Sequence, residues 1–164
     1  RYQNVYGPGQ SLSNPYTGIL SIFSTRIKQQ KSINIFEDGQ ESRDFVFIDD
    51  VVKATLAGIE NSSADFQSFN VGTGVATSVL TVAQTLMKNY GMEVPLEISG
   101  QYRKGDIRHN FADITLIQEK LGYAPSVDFA TGIRQFCDWV NQQEIQADRY
   151  EQSLDELRKK GLMK

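Results

Sequence analysis

The chain has 164 residues, of which 40% are hydrophobic and 23% are charged, as in ordinary globular proteins. This length allows one good core or two small lobes that share one. The net charge of −3 gives no overall attraction to nucleic acid or to anionic membranes, so neither is expected as a partner. No apolar run approaches the roughly 18 residues of a membrane-spanning helix, and no signal peptide is visible.

The rare residue types restrict the chemistry further. Cys137 is the only cysteine, which excludes an intrachain disulfide framework and favours a reducing compartment, for which we expect the cytoplasm. His109 is the only histidine, and one histidine cannot build a metal cluster, so we expect no metal and a structural role for this side chain. The chain starts without methionine inside a strand-to-turn pattern, and we interpret it as the C-terminal part of a longer protein. A shortened or proteolysed sample would look the same.

The first elements alternate between strand and helix. Residues 2–6 alternate aromatic and polar side chains, and Gly7-Pro8-Gly9 stops this strand. Asn14 or Thr17 is predicted to cap a helix whose apolar face consists of Ile19, Ile22, Phe23 and Ile27. Residues 33–36 form a short predicted strand, and residues 37–40 form a turn with Asp-Gly chemistry.

The rest of the predicted fold is organised around the stretch from residue 41 to residue 52. Residues 45–48 are apolar without alternation, which predicts a short strand buried on both faces. Asp49 or Asp50 can cap the following helix, in which Val51, Val52, Leu56 and Ile59 recur at helical spacing.

Arg43 lies at the entrance of this strand, where a guanidinium on rigid structure can meet an anion. The alternative is a surface arginine that pairs with Glu41 or Asp44, because surface charge pairs are common.

The second half continues the alternation. Residues 66–71 form a predicted strand that Gly72-Thr73-Gly74 closes. Ser78 opens a strongly periodic helix that Gly91 ends, residues 95–98 form a weak strand, and residues 101–110 form a polar loop. Asp113 caps a short helix that Gly122 ends. One more helix carries Phe129, Ile133, Phe136 and Val140, and the charged tail carries Tyr150, Leu154 and Leu157. The narrow apolar stripe of the tail favours a docked surface helix over a partner-binding module.

Strands and helices that alternate in this way predict an α/β fold with at least partly parallel strands. Four segments of this fold are candidate sites. Asn4 follows a strand at its carboxyl end, where open α/β sheets bind ligands, although it also suits a turn. Thr17 and Gly18 begin a helix, and amides at a helix start attract anions.

The other two candidates are a turn and a loop. Residues 70–74 resemble part of a phosphate-binding turn but lack the full G-x-G-x-x-G spacing, so we interpret them as a strand-ending turn. Arg103 and Asp106 flank a glycine and can together grip a phosphate and a sugar hydroxyl. The alternative for this pair is a solvated charged loop.

Taken in order, these segments resemble the extended short-chain dehydrogenase/reductase family of NAD-dependent nucleotide-sugar epimerases and dehydratases. The matching pieces are Arg1-Tyr2-x-Asn4-Val5-Tyr6-Gly7-Pro8, Asn14-Pro15-Tyr16-Thr17-Gly18, Asp38-Gly39, Arg43 to Asp50, Phe69-Asn70-Val71-Gly72, Arg103-x-Gly105-Asp106, and Ala112-Asp113 with Leu121-Gly122-Tyr123. The Asn-Pro-Tyr-Thr-Gly version is most similar to the 4-epimerase-like members. The resemblance extends from residue 1 to about residue 141.

The resemblance implies the C-terminal part of an NAD(P)-binding Rossmann-type fold, mainly its small substrate-binding lobe and the last Rossmann strands. Residues 1–13 and 46–74 would belong to the Rossmann lobe, residues 14–45 and 75–145 to the nucleotide-sugar-binding lobe, and residues 146–164 to a C-terminal helical tail. Family members also carry a Gly-rich dinucleotide turn and a Tyr-x-x-x-Lys catalytic pair. Neither occurs here, since no tyrosine is followed by lysine four residues later.

The family's binding residues carry over to positions of this chain as implied roles. Tyr2, Asn4 and Val5 would border the nicotinamide end of NAD, and Asn4 would also reach the sugar diphosphate. Thr17 and Gly18 would contact the diphosphate region, and Asn34, Ile35 and Phe36 would lie along the base. Arg43 and Arg103 would clamp the diphosphate, while Asp106 would accept hydrogen bonds from the ribose hydroxyls.

For the intact parent the resemblance implies hydride transfer from a UDP- or dTDP-sugar to NAD, followed by its return to give an epimer or a deoxy-keto sugar. The chain alone is expected to be inactive. The parent is expected to be a homodimer, and the chain is expected to expose apolar surface through which it associates with a further polypeptide segment. The alternative is a non-catalytic nucleotide-sugar-binding or protein-interaction module that uses the same fold.

Overall fold

A computed structural model describes residues 1–12, 18–144 and 150–164. Short strands alternate with helices along these residues. In chain order the elements are β1 (Asn4–Tyr6), α1 (Gly18–Lys28), β2 (Ile33–Ile35), β3 (Ser42–Arg43), β4 (Phe45–Phe47), α2 (Ile48–Glu60), a 3-10 turn (Ser62–Ala64), β5 (Thr77–Ser78), α3 (Val79–Tyr90), β6 (Leu96–Ile98), β7 (His109–Asn110), α4 (Thr115–Leu121), α5 (Phe129–Asn141) and α6 (Tyr150–Lys159). The predicted helix caps Asn14 and Thr17 and the predicted lobe boundaries at residues 13/14 and 145/146 lie outside the described residues.

Most strand pairs are parallel, which confirms the predicted α/β class. β1 pairs with β4, and β2 pairs with β6, each in parallel. β3 lies between β5, to which it is antiparallel, and β7, to which it is parallel. Because the residues that connect parallel strands must cross over the sheet, helices pack against these short strands and enclose the cores.

β4 separates two apolar clusters. Phe45 and Phe47 belong to the larger one, which α1, α3 and α5 also line, whereas Val46 belongs to the smaller one under α2 and α4. All three side chains are buried. The predicted strand with two buried faces is therefore confirmed, because successive side chains of a strand point to opposite sides.

The helix ends follow local sequence chemistry closely. The Ser78 hydroxyl accepts the backbone N–H of Thr81 at 3.1 Å and caps α3, as predicted. Gly91 and Gly122 end α3 and α4 in the left-handed conformation, with φ of 61° and 63°. Asp113 accepts the N–H of Thr115, the first residue of α4, at 2.9 Å. The N-cap residue of α4 is nevertheless Ile114, without a side-chain cap, so the predicted cap at Asp113 lies one residue too early.

The predicted cap of α2 is wrong. The helix begins at Ile48, directly after Phe47, and no side chain caps it. Asp50 is instead fully buried and accepts hydrogen bonds from the backbone N–H groups of Ser126 and Val127 and from the Ser126 hydroxyl. Burial favours a raised pKa for Asp50, but these hydrogen bonds outweigh it and hold the pKa below its ordinary value. Through these hydrogen bonds, Asp50 connects α2 to the segment that precedes α5.

The strand predicted for residues 66–71 is also wrong for most of its length. Phe66 has a left-handed φ of 59°, which no strand tolerates, and its side chain is fully exposed. Only Val71 forms a bridge, in parallel with Tyr2. The backbone of Val71 accepts from Gln3 and donates to Arg1, so the pairing is real but confined to the end of the segment.

The Asp44 carboxylate gathers two loops behind β3 and β4. It accepts the backbone N–H groups of Thr73, Gly74 and Ala112 at 2.8, 2.9 and 3.2 Å, and the Thr73 hydroxyl at 2.7 Å. Asp44 is completely buried. The turn at residues 72–74 resembled part of a phosphate-binding turn. Its backbone N–H groups bind the Asp44 carboxylate instead of a phosphate.

One side of α2 remains uncovered. Val52, Leu56 and Ile59 recur at helical spacing and are 49%, 49% and 75% exposed. The exposed Tyr2 lies beside them, because its hydroxyl is 2.9 Å from Thr55 Oγ1. Among the described residues, no helix combines the length and the apolar character that crossing a bilayer requires.

We expect Gly72→Ala to lower the free energy of unfolding by about 2–3 kcal/mol, because overpacking adds to the loss of charge-assisted hydrogen bonds. A Cβ at this position would meet Asp44 Oδ2 inside contact distance and would lie 2.9 Å from Ala112 Cβ. Gly58→Ala is the matched control, because a Cβ there meets nothing and alanine favours the helical backbone of α2. Urea denaturation should show loss of stability for the first variant and none for the second. Equal stabilities would contradict this role of Gly72.

Candidate functional site

A cavity of about 610 Å³ opens between α1, the end of β2, β3, the loop at residues 102–107 and α6. This volume lies within the range of roughly 300–1,000 Å³ that is usual for small-molecule sites. The residues predicted from sequence that line it are Asn4, Val5, Gly18, Asn34, Phe36, Arg43, Arg103 and Asp106. Segments that are far apart in the chain therefore meet around one space.

Two predicted residues that the structure describes, Ile35 and Tyr2, do not line this cavity. Ile35 is fully buried in the larger core, because it points to the opposite side of β2 from Asn34. Its side chain therefore cannot lie along a base. Tyr2 is 57% exposed and lies against Thr55 of α2, so a contact with a cofactor at that position stays a prediction. Thr17 lies outside the described residues.

Arg43 is half-buried at the wall of the cavity. Its Nη1 donates to the carbonyl oxygens of Ser42 and Arg108 at 2.8 and 3.1 Å. Asp44, one of the two carboxylates proposed as its surface partner, is occupied by backbone amides on the other side of the strand. The guanidinium is thus held in place by carbonyl groups, and no carboxylate of the described residues forms an ion pair with it.

Arg103 and Asp106 face each other across the loop. Arg103 Nε lies 3.2 Å from Asp106 Oδ2, and the guanidinium lies over the Phe36 ring at 5.4 Å from its centroid. Both side chains are nearly half exposed, so the ion pair itself adds little stability. The contact with Phe36 positions the guanidinium beside the end of β2.

The C-terminal helix forms a wall that sequence reasoning did not assign to the cavity. Tyr150, Ser153, Leu154 and Leu157 of α6 all line it. Tyr150 and Leu154 are buried, which confirms the predicted docked helix. The spacing of Tyr150, Leu154 and Leu157 indicated a packed face, but nothing in the sequence showed what that face covers.

The tail also supports the loop that carries Arg103. Tyr102 exchanges two backbone hydrogen bonds with Lys164, at 2.8 and 3.0 Å, and Lys104 donates to the carbonyl of Leu162. Arg103 and Met163 form the bridge between these two segments. The last residues of the chain therefore fix the backbone of the Arg103 loop, which a polar loop alone would leave free.

Glu41 is a cavity residue that the sequence interpretation considered only as an ion-pair partner. Its side chain is 93% buried, since its exposed fraction is 7%. Burial raises the pKa of its carboxyl group above the ordinary value, and the hydrogen bond from its own backbone N–H offsets only part of this rise. The nearby Glu37 and Asp38 raise the pKa as well, whereas the Arg108 charge lowers it. Glu41 directly precedes β3 and lies two residues before Arg43, and both line the cavity. This spacing of two residues was the available signal in the sequence.

The remaining rare residues have structural roles. His109 Nδ1 lies 2.9 Å from the Ser42 hydroxyl, on the edge of the three-stranded sheet. Cys137 is buried in the larger core, where burial raises the pKa of its thiol to about 11, so it packs as predicted. Within residues 1–12, 18–144 and 150–164, no group of three or more potential metal ligands comes together.

The fold and the cavity together define an α/β protein in which parallel strands lead to one arginine-lined cavity. The sequence profile of the NAD dependent epimerase/dehydratase family matches residues 1–72, so this part of the chain belongs to that family. The chain is 41% identical over 143 residues to the dTDP-L-rhamnose 4-epimerase of Burkholderia thailandensis, covering 87% of this chain and 39% of that protein.

Solved structures with the same fold come from this family as well. One is the UDP-glucose 4-epimerase of Thermotoga maritima with UDP-glucose, at 36% identity and a TM-score of 0.78, with 87% of this chain and 45% of that chain covered. Another is the UDP-N-acetylglucosamine 4-epimerase of Methanobrevibacter ruminantium, at 28% identity and a TM-score of 0.79, with 88% and 46% covered. The chain thus spans less than half the length of these relatives, and the predicted Rossmann-type extended fold is confirmed over that part.

We expect Arg26→Met to loosen α6. The Arg26 guanidinium lies 4.9 Å from the centre of the Tyr150 ring and 3.1 Å from Glu151 Oε1. Loss of both contacts should speed amide hydrogen exchange in residues 150–159 about tenfold, because such partly buried contacts contribute about 1–2 kcal/mol to local stability.

Arg158→Met is the control for this measurement. Arg158 forms an exposed ion pair with Asp155 on α6 itself and does not line the cavity, so the exchange pattern of this variant should match that of the unmodified chain. Identical exchange in the Arg26 and Arg158 variants would show that Arg26 does not anchor the cavity wall.

Proposed function

We propose that this chain is the substrate-binding part of an NAD-dependent nucleotide-sugar epimerase, most similar to the 4-epimerases, that acts on a UDP- or dTDP-sugar. The observation that carries the proposal is the cavity itself, where Arg43 and Arg103 line the same space as Asn4 and Asn34. The relatives named above support it, because their names identify UDP- and dTDP-sugar 4-epimerases.

The two arginines suit a diphosphate. Arginine presents a planar fork of donors that matches phosphate oxygens, and the backbone contacts of Arg43 and the Phe36 contact of Arg103 hold both forks at the cavity wall. Binding of a diphosphate would compete with Asp106 for Arg103, which frees the Asp106 carboxylate for a hydroxyl group. Because the net charge of the chain is −3, this local positive charge rather than the global field must attract the anion.

The other lining residues define the two ends of the proposed ligand. Asn34 and Phe36 would lie along the base, and Asp106 would accept from the ribose. Asn4 would approach the sugar from the first residue of β1, and Gly18 would contact the diphosphate from the start of α1. The resemblance implies a diphosphate contact for Thr17 as well. Holding the sugar in one orientation is the contribution that such a lobe makes to the rate of reaction.

The residues present fit only one end of NAD. Asn4 and Val5 are exposed at the cavity and suit the nicotinamide end, whereas the chain contains no Gly-rich turn for the pyrophosphate. The chemistry that NAD supplies in such enzymes is reversible hydride transfer. The role proposed for this chain is to bind and orient the sugar nucleotide.

The proposal extends to partners and compartment. We expect the parent to be a homodimer and the uncovered face of α2, formed by Val52, Leu56 and Ile59, to contact a further polypeptide segment. The proposed compartment is the cytoplasm, because the single cysteine is a buried free thiol.

Calorimetric titration with UDP and dTDP tests the proposed clamp. Arg43→Ala and Arg103→Ala should each weaken binding about tenfold or more, since a charge-assisted hydrogen bond contributes roughly 1.5–3 kcal/mol and part of it is screened at an exposed site. Arg134→Ala on the outer side of α5 removes the same charge away from the cavity and should bind as the unmodified chain does. Equal affinities for all four proteins would refute the site assignment.

A turnover assay separates binding from catalysis. The 164-residue chain, purified free of host enzymes and supplied with NAD, should not convert UDP-glucose or dTDP-glucose, because it contains no Tyr-x-x-x-Lys pair to act as the base. Measurable epimer or deoxy-keto product would show that a base exists elsewhere in the chain. The competing hypothesis of a non-catalytic binding module predicts the same absence of turnover in any longer form of the protein.

A further inference from the structure

Glu41 has a buried carboxyl oxygen that the described residues leave unpartnered. Its Oε2 atom is inaccessible to solvent and accepts no hydrogen bond among residues 1–12, 18–144 and 150–164. The side chain nevertheless lines the cavity. Buried polar atoms in native proteins almost always have partners, because an unsatisfied acceptor costs folding free energy. At the wall of a cavity, a water molecule or a ligand can supply the missing donor.

The cations close to Glu41 are engaged with other groups. Arg108 binds Glu37 and Asp38 with its two terminal nitrogens. Arg43 lies on the same face as Glu41 but donates to the carbonyls of Ser42 and Arg108. Neither arginine forms an ion pair with Glu41 among the described contacts. The carboxyl group is therefore not the internal counterion of a structural salt bridge.

The position of Glu41 along the strand indicates which part of a ligand reaches it. Glu41, Arg43 and Phe45 all line the cavity at alternate positions, so each lies about 7 Å from the next. Asn4 pairs with Phe45 at one end of this row. With the sugar at Asn4 and the diphosphate at Arg43, the nucleoside comes to lie at Glu41.

Asn34 adds a second acceptor at the same end. Its Oδ1 atom is also buried without a hydrogen-bond partner among the described residues, and it also lines the cavity. Two acceptor oxygens require donors from the ligand, and they repel phosphate oxygens. They therefore favour one direction of the ligand, with the diphosphate held away from them at Arg43.

We propose that Glu41 is a specificity-determining residue that accepts a hydrogen bond from the nucleoside half of the nucleotide sugar. The donor is the imide N–H of uracil or thymine, or the 2′-hydroxyl of ribose. This inference rests on the nucleotide-sugar function proposed above. It assigns to Glu41 the selection of the nucleoside, in addition to the attraction of the diphosphate by Arg43 and Arg103.

Glu41→Met separates this role from a structural one, because methionine is similar in length and has no strong acceptor. UDP should bind this variant at least tenfold more weakly, while the melting temperature stays level or rises by about 2–4 °C as the unsatisfied acceptor is removed. Glu41→Gln keeps one acceptor oxygen and should recover part of the affinity. Glu119→Met removes an exposed carboxylate of α4 outside the cavity and should change neither quantity.

Two further nucleotides identify the donor. CDP lacks the imide N–H, and dUDP lacks the 2′-hydroxyl. The tenfold loss caused by Glu41→Met should disappear with CDP if the imide is the donor, or with dUDP if the hydroxyl is. Calorimetry of the unmodified chain and the variant with UDP, CDP and dUDP gives all six affinities.

The outcomes that overturn the inference differ from those that overturn the proposed function. If Glu41→Met binds UDP as the unmodified chain does while Arg43→Ala has lost affinity, the cavity holds the nucleotide but Glu41 does not select it. A loss that persists with both CDP and dUDP, or that accompanies a lower melting temperature, also contradicts the inference. If the unmodified chain binds none of these nucleotides, the proposed function fails, and the inference fails with it.

Discussion

The buried carboxylate of Asp44 is the interaction on which the rest of the structure depends. It accepts hydrogen bonds from Thr73, Gly74 and Ala112, and so joins the β3–β4 segment to a turn and to the loop before α4. A buried carboxylate is tolerated only when hydrogen bonds replace its contacts with water. Movement of either loop would leave Asp44 buried without these partners. Position 72 requires glycine, because any side chain there would overlap the Asp44 carboxylate.

Side chains of residues 41–44 point alternately to two sides, and the two sides have different roles. Ser42 and Asp44 bind the scaffold through His109 and the turn at residues 73–74. Glu41 and Arg43 point to the other side and line the cavity. The Ser42 and Asp44 side chains on the scaffold side have hydrogen-bond partners. On the cavity side, among the residues that the structure describes, Glu41 has an unsatisfied acceptor and Arg43 forms no ion pair. Groups without partners on the cavity side make the free protein less stable, and a ligand that supplies their partners recovers this free energy as binding energy. The two sides therefore differ because one stabilises the fold and the other is open to a ligand.

Local signals in the sequence predicted those elements whose ends have their own chemistry. α3 begins at the Ser78 cap and ends at the left-handed Gly91, and both features depend on residues within one turn of the helix. The predictions for Asp50 and for residues 66–71 were wrong because distant partners decided them. Asp50 bonds to Ser126 and Val127, which follow it by more than 70 residues, and the pairing of Val71 depends on residues 1–3.

The sequence by itself determined the α/β class, both ends of α3, the last residue of α4 and the set of cavity residues that includes Asn4, Arg43 and Arg103, because spacing and family motifs are local properties. The tertiary structure alone decided that Ile35 faces the core, that α6 closes the cavity and that the last residues support the Arg103 loop. It also decided the state of Glu41, since burial and the absence of a partner are properties of the surrounding elements. A residue type shows what a side chain can do, and only its neighbours in space show which of those possibilities remains open.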